Sequence, residues 1–400
     1  MKLLHTSDWH LGRMLYSKKE RQEEHTQFLE WLLDTIRENR IDVLLVAGDI
    51  FDTVSPANSS QKMYYDFLLK VRKSGCQNMV IIGGNHDSPS FLNAPKDILA
   101  TLNISVVGNT SENIKDEIIV LEDNEKNPMA IVCAVPFLRE RDISRFSEGE
   151  TYSDRSKRIA ENIENHYEKV AEIADNKRKS INRNIPVIAT GHLSVVGGRT
   201  TEGDGVREIY IGNVECVKSD IFPPGFDYVA LGHYHIPSAI SDSVRYCGSP
   251  IPMGFGESNQ QKCVIIVDFE NGNKTITEVP VPIFQQLESI QGDKLFISNR
   301  LEELKKSGIS VWVEIIYDGS EIFPDFTEWA NELIANTKIE IIKLQNKQYL
   351  NEALTQDDCT QLLDELDKFE VFDKLLEKNN IPIEQNEELK NLYREITTEL

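Results

Sequence analysis

The sequence is short of positive charge: 43 lysines and arginines face 65 aspartates and glutamates, a net charge of −22 over 400 residues. That balance argues against a large sequence-independent nucleic-acid surface, because phosphates are neutralised by lysine and arginine. It leaves open a site that grips phosphate through metal cations, which needs carboxylates around it, and a partner that supplies basic surface. Cysteine is scarce too. The six, at positions 76, 133, 216, 247, 263 and 359, are scattered and form no CxxC pair. Neither a disulfide framework nor a structural zinc site is indicated. Several sit in apolar strand-like runs such as Val132-Cys133-Ala134, as buried reduced thiols do. No apolar run approaches the roughly 18 residues of a membrane span, and Met1-Lys2-Leu3-Leu4-His5 lacks a signal-peptide layout. A cytoplasmic location is expected. The GxxxxGK[ST] phosphate loop, internal repeats and low-complexity tracts are all missing.

What is present is the composition of a globular protein, with 40% hydrophobic and 27% charged residues. The length suits two to three domains. Over residues 1–135, apolar runs at 2–6, 43–47, 80–82, 104–107 and 131–135 alternate with amphipathic segments at about 21–39, 57–73 and 90–102. This reads as an α/β sheet with covering helices. A charged helix over about 154–180 follows, then strands at 187–190, 228–231 and 264–269, with a glycine-rich loop at 197–205. Pro280-Val281-Pro282 marks a boundary. Beyond it, segments at 284–290, 294–306, 310–317, 326–336 and 338–344 read β-α-β-α-β, one small domain. The remainder is helical and acidic. Leu362, Leu366, Phe369, Phe372 and Leu376 form one apolar stripe, Ile381-Pro382 breaks the helix, and Leu389, Leu392, Tyr393, Ile396 and Leu400 form a second stripe.

Five polar clusters share one layout, in which an apolar strand ends and metal-type ligands follow at once. They contain Asp8 and His10; Asp49 and Asp52; Asn85, His86 and Asp87; His192; and His233 and His235. Ligands bind at the carboxyl ends of strands in open α/β sheets, so five strands can deliver these groups to one pocket. Five of the 8 histidines lie in the clusters, whereas His5, His25 and His166 have none around them and read as structural. Carboxylate, carboxamide and imidazole without thiolate suit manganese, iron or zinc. Two such ions ~3.5–4 Å apart can stabilise the attacking and leaving oxygens of a phosphoryl displacement, and Asp49 is the natural bridge. Asp87 is open between a structural and a functional role. Gly248-Ser249-Pro250 lines the site or is a plain turn, Lys177-Arg178-Lys179 reads as a solvated face, and Arg13, Lys18 and Lys19 are the better DNA-contact candidates.

The ordered set Asp-x-His, Gly-Asp-x-x-Asp, Gly-Asn-His-Asp, Gly-His and Gly-His-x-His resembles the calcineurin-like metallophosphoesterases. Within that group, residues 4–12, 47–53 and 246–252 are similar to the nuclease subunits of double-strand-break repair complexes. The resemblance implies a β-sandwich flanked by helices (1–282), a small α/β capping domain (283–347) and a C-terminal helical hairpin (348–400) that binds a partner. It implies one metal on Asp8, His10, Asp49 and His235, and a second on Asp49, Asn85, His192 and His233. His86 would act at the leaving oxygen, with the Asp52 carboxylate orienting it. The ions would be manganese, with magnesium second. Activity would be an ATP-dependent 3′-to-5′ exonuclease on duplex ends and an endonuclease on single-stranded or hairpin DNA. The partners implied are an ATPase with a coiled coil, DNA, and a second copy paired through helices 57–73 and 90–102 within a heterotetramer, without a membrane. A small-molecule phosphodiesterase or phosphatase with the same metal cluster is the rival reading.

Overall fold

A computed structural model describes residues 1–144, 151–181, 184–198, 217–270, 272–320, 323 and 325–347. The chain opens with β1 (Lys2–Thr6), the hairpin β2 (Met14–Leu15) and β3 (Lys19–Glu20), α1 (Gln22–Asn39), β4 (Val43–Ala47), α2 (Asn58–Lys73) and β5 (Asn78–Ile82). It continues through α3 (Pro89–Asn93), α4 (Lys96–Ala100), β6 (Ile104–Val107), β7 (Ile118–Glu122), β8 (Pro128–Cys133), α5 (Glu140–Ile143) and α6 (Tyr152–Ile181). Next come β9 (Val187–His192), β10 (Tyr228–Gly232), β11 (Ser238–Ala239), β12 (Val244–Tyr246), β13 (Cys263–Glu270) and β14 (Asn273–Pro280). The small domain follows as β15 (Gln286–Gly292), α7 (Lys294–Ser307), β16 (Val311–Tyr317), α8 (Phe326–Ile334) and β17 (Ile339–Asn346).

Two six-stranded sheets result, ordered β14-β13-β1-β4-β5-β6 and β11-β12-β10-β9-β8-β7. Residues 1–135 thus do not make one sheet, since β7 and β8 belong to the second. The strand sequences explain the stacking. In β4, Val43, Leu45 and Ala47 enter a core shared with Ala130 and Val132 of β8 and Ala230 of β10, while Leu44 and Val46 enter the core beneath α1 and α2. Both faces are buried, which is why the run is apolar throughout rather than alternating. In α1, Phe28, Leu29, Leu32, Leu33 and Ile36 form the buried stripe, and Arg40 ends the helix in the left-handed region (φ 54°). In α6, Ile159, Ile163, Tyr167, Val170 and Ala174 recur at three- to four-residue spacing and cover the outer face of the second sheet. Each such side chain larger than alanine contributes roughly 1.5–3 kcal/mol of burial.

The helix read over 90–102 is two short helices, because Pro95 stands at their junction without an N–H to donate. Strands β7, β12 and β14 went unforeseen. The last is an edge strand whose exposure alternates with its polar side chains, so no apolar run marks it. The small domain forms the three-stranded sheet β15-β16-β17. Close packing joins Met1–Ile316 and Phe323–Gln345 in one unit, with Leu15 and Phe255 clustered on Leu287, Trp312 and Ile342 of the small domain. Residues 348–400, where the helical hairpin is expected, lie outside the described residues. Among those described, no helix is long and apolar enough to cross a membrane.

Candidate metal centre

Strands β1, β4 and β5 are parallel neighbours in one sheet, and β9 and β10 are parallel neighbours in the other. Their carboxyl ends therefore open on a common edge, and each carries one of the polar clusters. The backbone there is strained. Asp8 (φ 53°), His10 (46°), Asp49 (49°) and His233 (102°) all take positive φ without being glycine, a conformation that costs on the order of 1–3 kcal/mol each. It persists because the loops are laced together: Asp8 N–H donates to Gly48 O (3.0 Å) and His10 N–H to Asp49 O (3.0 Å). Glycine is required where these loops touch. A Cβ on Gly84 would strike the Asp49 carboxylate, and one on Gly48 (φ 90°) would strike the His192 ring.

Asp8, His10 and His235 form the first group, with donor atoms within 4.8 Å of one another. The Asp8 carboxylate accepts from His233 N–H (3.0 Å) and from Ser7 Oγ, and burial raises its pKa. His10 Nδ1 lies 3.3 Å from Asp52 Oδ1 and His235 Nδ1 lies 3.5 Å from Glu257 Oε1. Each ring thus faces a carboxylate with Nδ1 and turns Nε2 into the site. The two Nε2 atoms stand 3.3 Å apart. Burial pushes His10 down to about 4, so that ring is neutral at ordinary pH.

Asp49, Asn85, His192 and His233 form the second group. Asn85 Oδ1 lies 2.9 Å from His192 Nε2 and 3.1 Å from His233 Nδ1, and His192 Nε2 lies 3.2 Å from Asp49 Oδ2. His192 Nδ1 meets Ala47 O at 2.9 Å, which assigns its proton there. Burial disfavours a charged His192, yet the charge and hydrogen bond of Asp49 outweigh it and push the ring up to about 9. Burial pushes His233 down to about 3. Asp49 Oδ2 also faces His10 Nε2 at 3.6 Å, so this carboxylate adjoins both groups.

The donor set fits two divalent cations. Asp8 and Asp49 are buried, and among the described residues no lysine or arginine forms an ion pair with either. Facing lone pairs on His10, His235, His192 and Asn85 repel unless a proton or cation lies among them, and burying uncompensated carboxylates is costly. The elevated His192 is a proton doing what an ion does better. The chemistry is a dinuclear centre of carboxylate, imidazole and carboxamide ligands.

His86 stands beside it: its N–H donates to Asp49 Oδ1 (2.9 Å) and its ring lies 4.9 Å from that of His10. The expected role of the Asp52 carboxylate in orienting His86 is corrected. His86 Nδ1 meets the backbone carbonyl of Asp52 at 3.0 Å, while the carboxylate is drawn away to Arg13 (3.0 Å) and His10. Asp87 is structural. It is fully buried and accepts from the backbone N–H groups of Gly84 (2.9 Å), Phe51 (3.0 Å) and Ile50 (3.1 Å), tying the β5 loop to the β4 loop. Burial, then the nearby Asp49 charge, push its carboxyl up to about 6.

Three of the DNA-contact candidates are engaged within the chain: Arg13 on Asp52, Lys18 Nζ on Ile342 O (3.2 Å), and Lys19 on Glu340 (2.5 Å) and over Trp312. Ser249 N–H donates to His235 O (3.0 Å), so Gly248-Ser249-Pro250 braces a candidate ligand. In the 177–179 stretch, Arg178 and Lys179 pair with Asp175. His5 and His25 are fully buried, and His166 is buried against Glu117 (2.7 Å), in keeping with structural roles. Glu257 and Lys262 were missed. The only signal was two charges shortly after Gly248-Ser249-Pro250, flanking the uncharged polar run Ser258-Asn259-Gln260-Gln261.

Residues 1–237 match the family described as Calcineurin-like phosphoesterase, and residues 283–380 match the Type 5 capsule protein repressor C-terminal domain. The chain is similar to the D component of the SbcCD nuclease of Escherichia coli (strain K12), 34% identical over 398 residues, covering 98% of this chain and 97% of that one. It is also similar to the corresponding SbcCD nuclease component of Rhodobacter capsulatus (34% over 289 residues, 70% of this chain and 69% of the relative). The Bacillus subtilis (strain 168) protein of the same name is 30% identical over 278 residues, 68% of each chain.

Proposed function

Because this chain belongs to the calcineurin-like phosphoesterases and, within them, to the SbcD family of SbcCD nuclease components, we propose that it is the metal-dependent DNA nuclease subunit of an SbcCD-like complex. The observation that carries the reading is the meeting of seven donors from five strand ends in one cluster, five of them buried and Asn85 and His233 partly so, in a chain matched along nearly its whole length by a nuclease subunit. Asp8, His10, Asp49 and His235 would hold one ion, and Asp49, Asn85, His192 and His233 the other. Manganese is the expected ion, and magnesium suits the oxygen ligands as a second choice. When bound, the two ions supply Lewis acidity to the phosphodiester and lower the pKa of the attacking water.

The side chains do the rest. His86 donates a hydrogen bond from Nδ1 to the Asp52 carbonyl, which leaves Nε2 for the chemistry: as imidazolium the ring would pass its Nε2 proton to the departing 3′ or 5′ oxygen and be left neutral, with Nδ1–H retained. Asp52 positions two rings at once, His86 through its carbonyl and His10 through its carboxylate. Asp87 holds the loop that presents Asn85 and His86. With a net charge of −22, the chain depends on the ions and on its partner for most of its grip on phosphate. The partner would be an SbcC-type ATPase with a coiled coil, in a heterotetramer whose two nuclease subunits pair through α2, α3 and α4. The small domain would help seat DNA over the ions. The products fit DNA end processing, recombination and replication in the cytoplasm: ATP-dependent 3′-to-5′ degradation of duplex ends, and nicking of single strands and hairpins.

The test incubates the purified chain with manganese, a labelled hairpin DNA and a small phosphomonoester, with and without the ATPase and ATP. DNA cleavage that outpaces monoester turnover supports the reading. Monoester turnover with untouched DNA, partner and ATP present, replaces it with a small-molecule phosphatase. Residues 348–400 are proposed to seat the ATPase, on the strength of their two apolar stripes. Removing residues from about 350 onward is expected to abolish co-purification with the ATPase while manganese binding survives. Undiminished complex formation would place the contact elsewhere.

A further inference from the structure

Glu257 and Lys262 are fully buried charges that the proposed chemistry does not use. Taking a carboxylate and an ammonium out of water is costly, and an apolar pair of similar volume often serves stability as well. Their surroundings supply a reason for them. Lys262 Nζ donates to Glu257 Oε2 and to the backbone carbonyl of His235 (2.9 Å). Met253 N–H donates to the same Oε2 (2.9 Å). The other oxygen, Oε1, is buried without a hydrogen bond of ordinary geometry and lies 3.5 Å from His235 Nδ1. The pair therefore meets His235 twice, beside its ring and at its main chain.

We infer that Glu257 is a positioning residue for the ion held by Asp8, His10 and His235, with Lys262 fixing Glu257 in turn. This rests on the dinuclear reading above and deepens it. A carboxylate behind Nδ1 selects the tautomer with its lone pair on Nε2, sets the ring's rotation and raises its basicity, the arrangement typical of metal-bound imidazole. The 3.5 Å separation is of the kind that tightens when the ring becomes polarised by its ligand. The turn that carries Glu257 is anchored on its other side too. Phe255 stacks on Tyr16 (centroids 5.6 Å apart, planes 12° apart) and packs with Leu287, Trp312 and Ile342 of the small domain. Nothing about Glu257 touches the second group, so its influence is confined to one ion.

The experiment is manganese titration by calorimetry on the full chain and on Glu257→Ala, Glu257→Gln and Lys262→Met, with melting of the metal-stripped forms and hairpin cleavage in parallel. The expected result is about a 10–100-fold loss of affinity at one of two sites for Glu257→Ala, the other site unchanged. Partial recovery is expected in Glu257→Gln, whose amide oxygen still accepts from Nδ1. If Glu257→Ala fails to fold, Glu257→Gln and Lys262→Met carry the test, since both keep the volume. Wild-type affinity at both sites, or equal weakening of both, overturns the inference. Two-site binding with one site lost in the variant, but no DNA cleavage by the wild type, would uphold the inference while sinking the nuclease reading.

Discussion

The two donor groups are supported from behind by different materials. In the first, His10 and His235 back onto side-chain carboxylates, Asp52 and Glu257. In the second, His192 backs onto the main-chain carbonyl of Ala47, inside the sandwich core. A main-chain carbonyl is fixed by strand pairing and is indifferent to which side chain stands there. A carboxylate can be substituted, repositioned by its own partners, and felt by the ring as charge. The second group is thereby built into the sheet, whereas the first is adjustable, and its two supports lead outward to Arg13 and to the turn beneath the small domain.

The largest effect is expected where the comparison breaks down, at the carboxylate adjoining both groups. Asp49→Ala should empty both sites together and lower DNA cleavage by about 10³-fold or more. Asp8→Ala should spare the second site. Metal content after dialysis distinguishes them, and retention of one ion in Asp49→Ala would mean the bridge is another residue.

His86 comes next. Its ring nitrogen lies within 4.8 Å of donors on His10 and Asp49, close enough to be a ligand, although the proposed chemistry assigns it the leaving oxygen. His86→Ala should slow cleavage by roughly 10²–10⁴-fold and leave two ions bound. Loss of an ion in that variant would move His86 into a donor group. A smaller change follows from Asp52→Asn, whose carbonyl still serves His86. Only the first ion should weaken, by about 10-fold, at the low end for a group behind a ligand, because Asp52 is 23% exposed and shared with Arg13. Matching titrations of both sites check it; weakening of the second ion would erase the distinction between the groups.

The donors themselves were legible because each obeys a local rule, an apolar run that ends and a polar residue that follows within a few positions. That rule places Asp8, Asp49, Asn85, His192 and His233 correctly at strand ends. Their supports obey no local rule. Glu257 reaches His235 across 22 residues of chain through a turn, and nothing beside it in the sequence is a ligand. The spacing of Asp52 from Asp49 was visible, but spacing cannot say whether a carboxylate or a carbonyl does the orienting. Here Arg13, 39 positions away, takes the carboxylate and leaves the carbonyl to His86. Lys18 and Lys19 looked free for DNA because the small domain they meet lies more than 300 residues along the chain. The sandwich was similarly hidden: runs buried on both faces look alike whichever sheet they join, and edge strands such as β14 carry too few apolar residues to stand out.

The smallest effect concerns pH, where each group pairs a histidine with a raised pKa and one with a lowered pKa. In the metal-stripped protein, His192 is pushed from 6.5 up to about 9 by Asp49 acting against burial. A raised folded-state value means the protonated ring contributes stability fully below pH 6.5, and that contribution drains away as pH rises toward 9. His10 and His233 are pushed the other way by burial, to about 4 and about 3, so their penalty is incurred below pH 6.5 and they are silent above it. Between pH 6.5 and 8.5 the stripped protein should therefore lose stability through His192 and, in the same direction, through His235, which Glu257 and Asp8 raise against burial, its melting temperature falling by about 2–4 °C for each kcal/mol lost. With divalent ions bound, the cation replaces the proton on Nε2 and the decline should vanish. His192→Gln should lessen the stripped protein's decline as well. Melting curves at pH 6.5, 7.5 and 8.5, with and without magnesium, make the measurement, and a stripped wild type whose melting temperature holds steady or rises across that range would show that Asp49 does not keep a proton on His192.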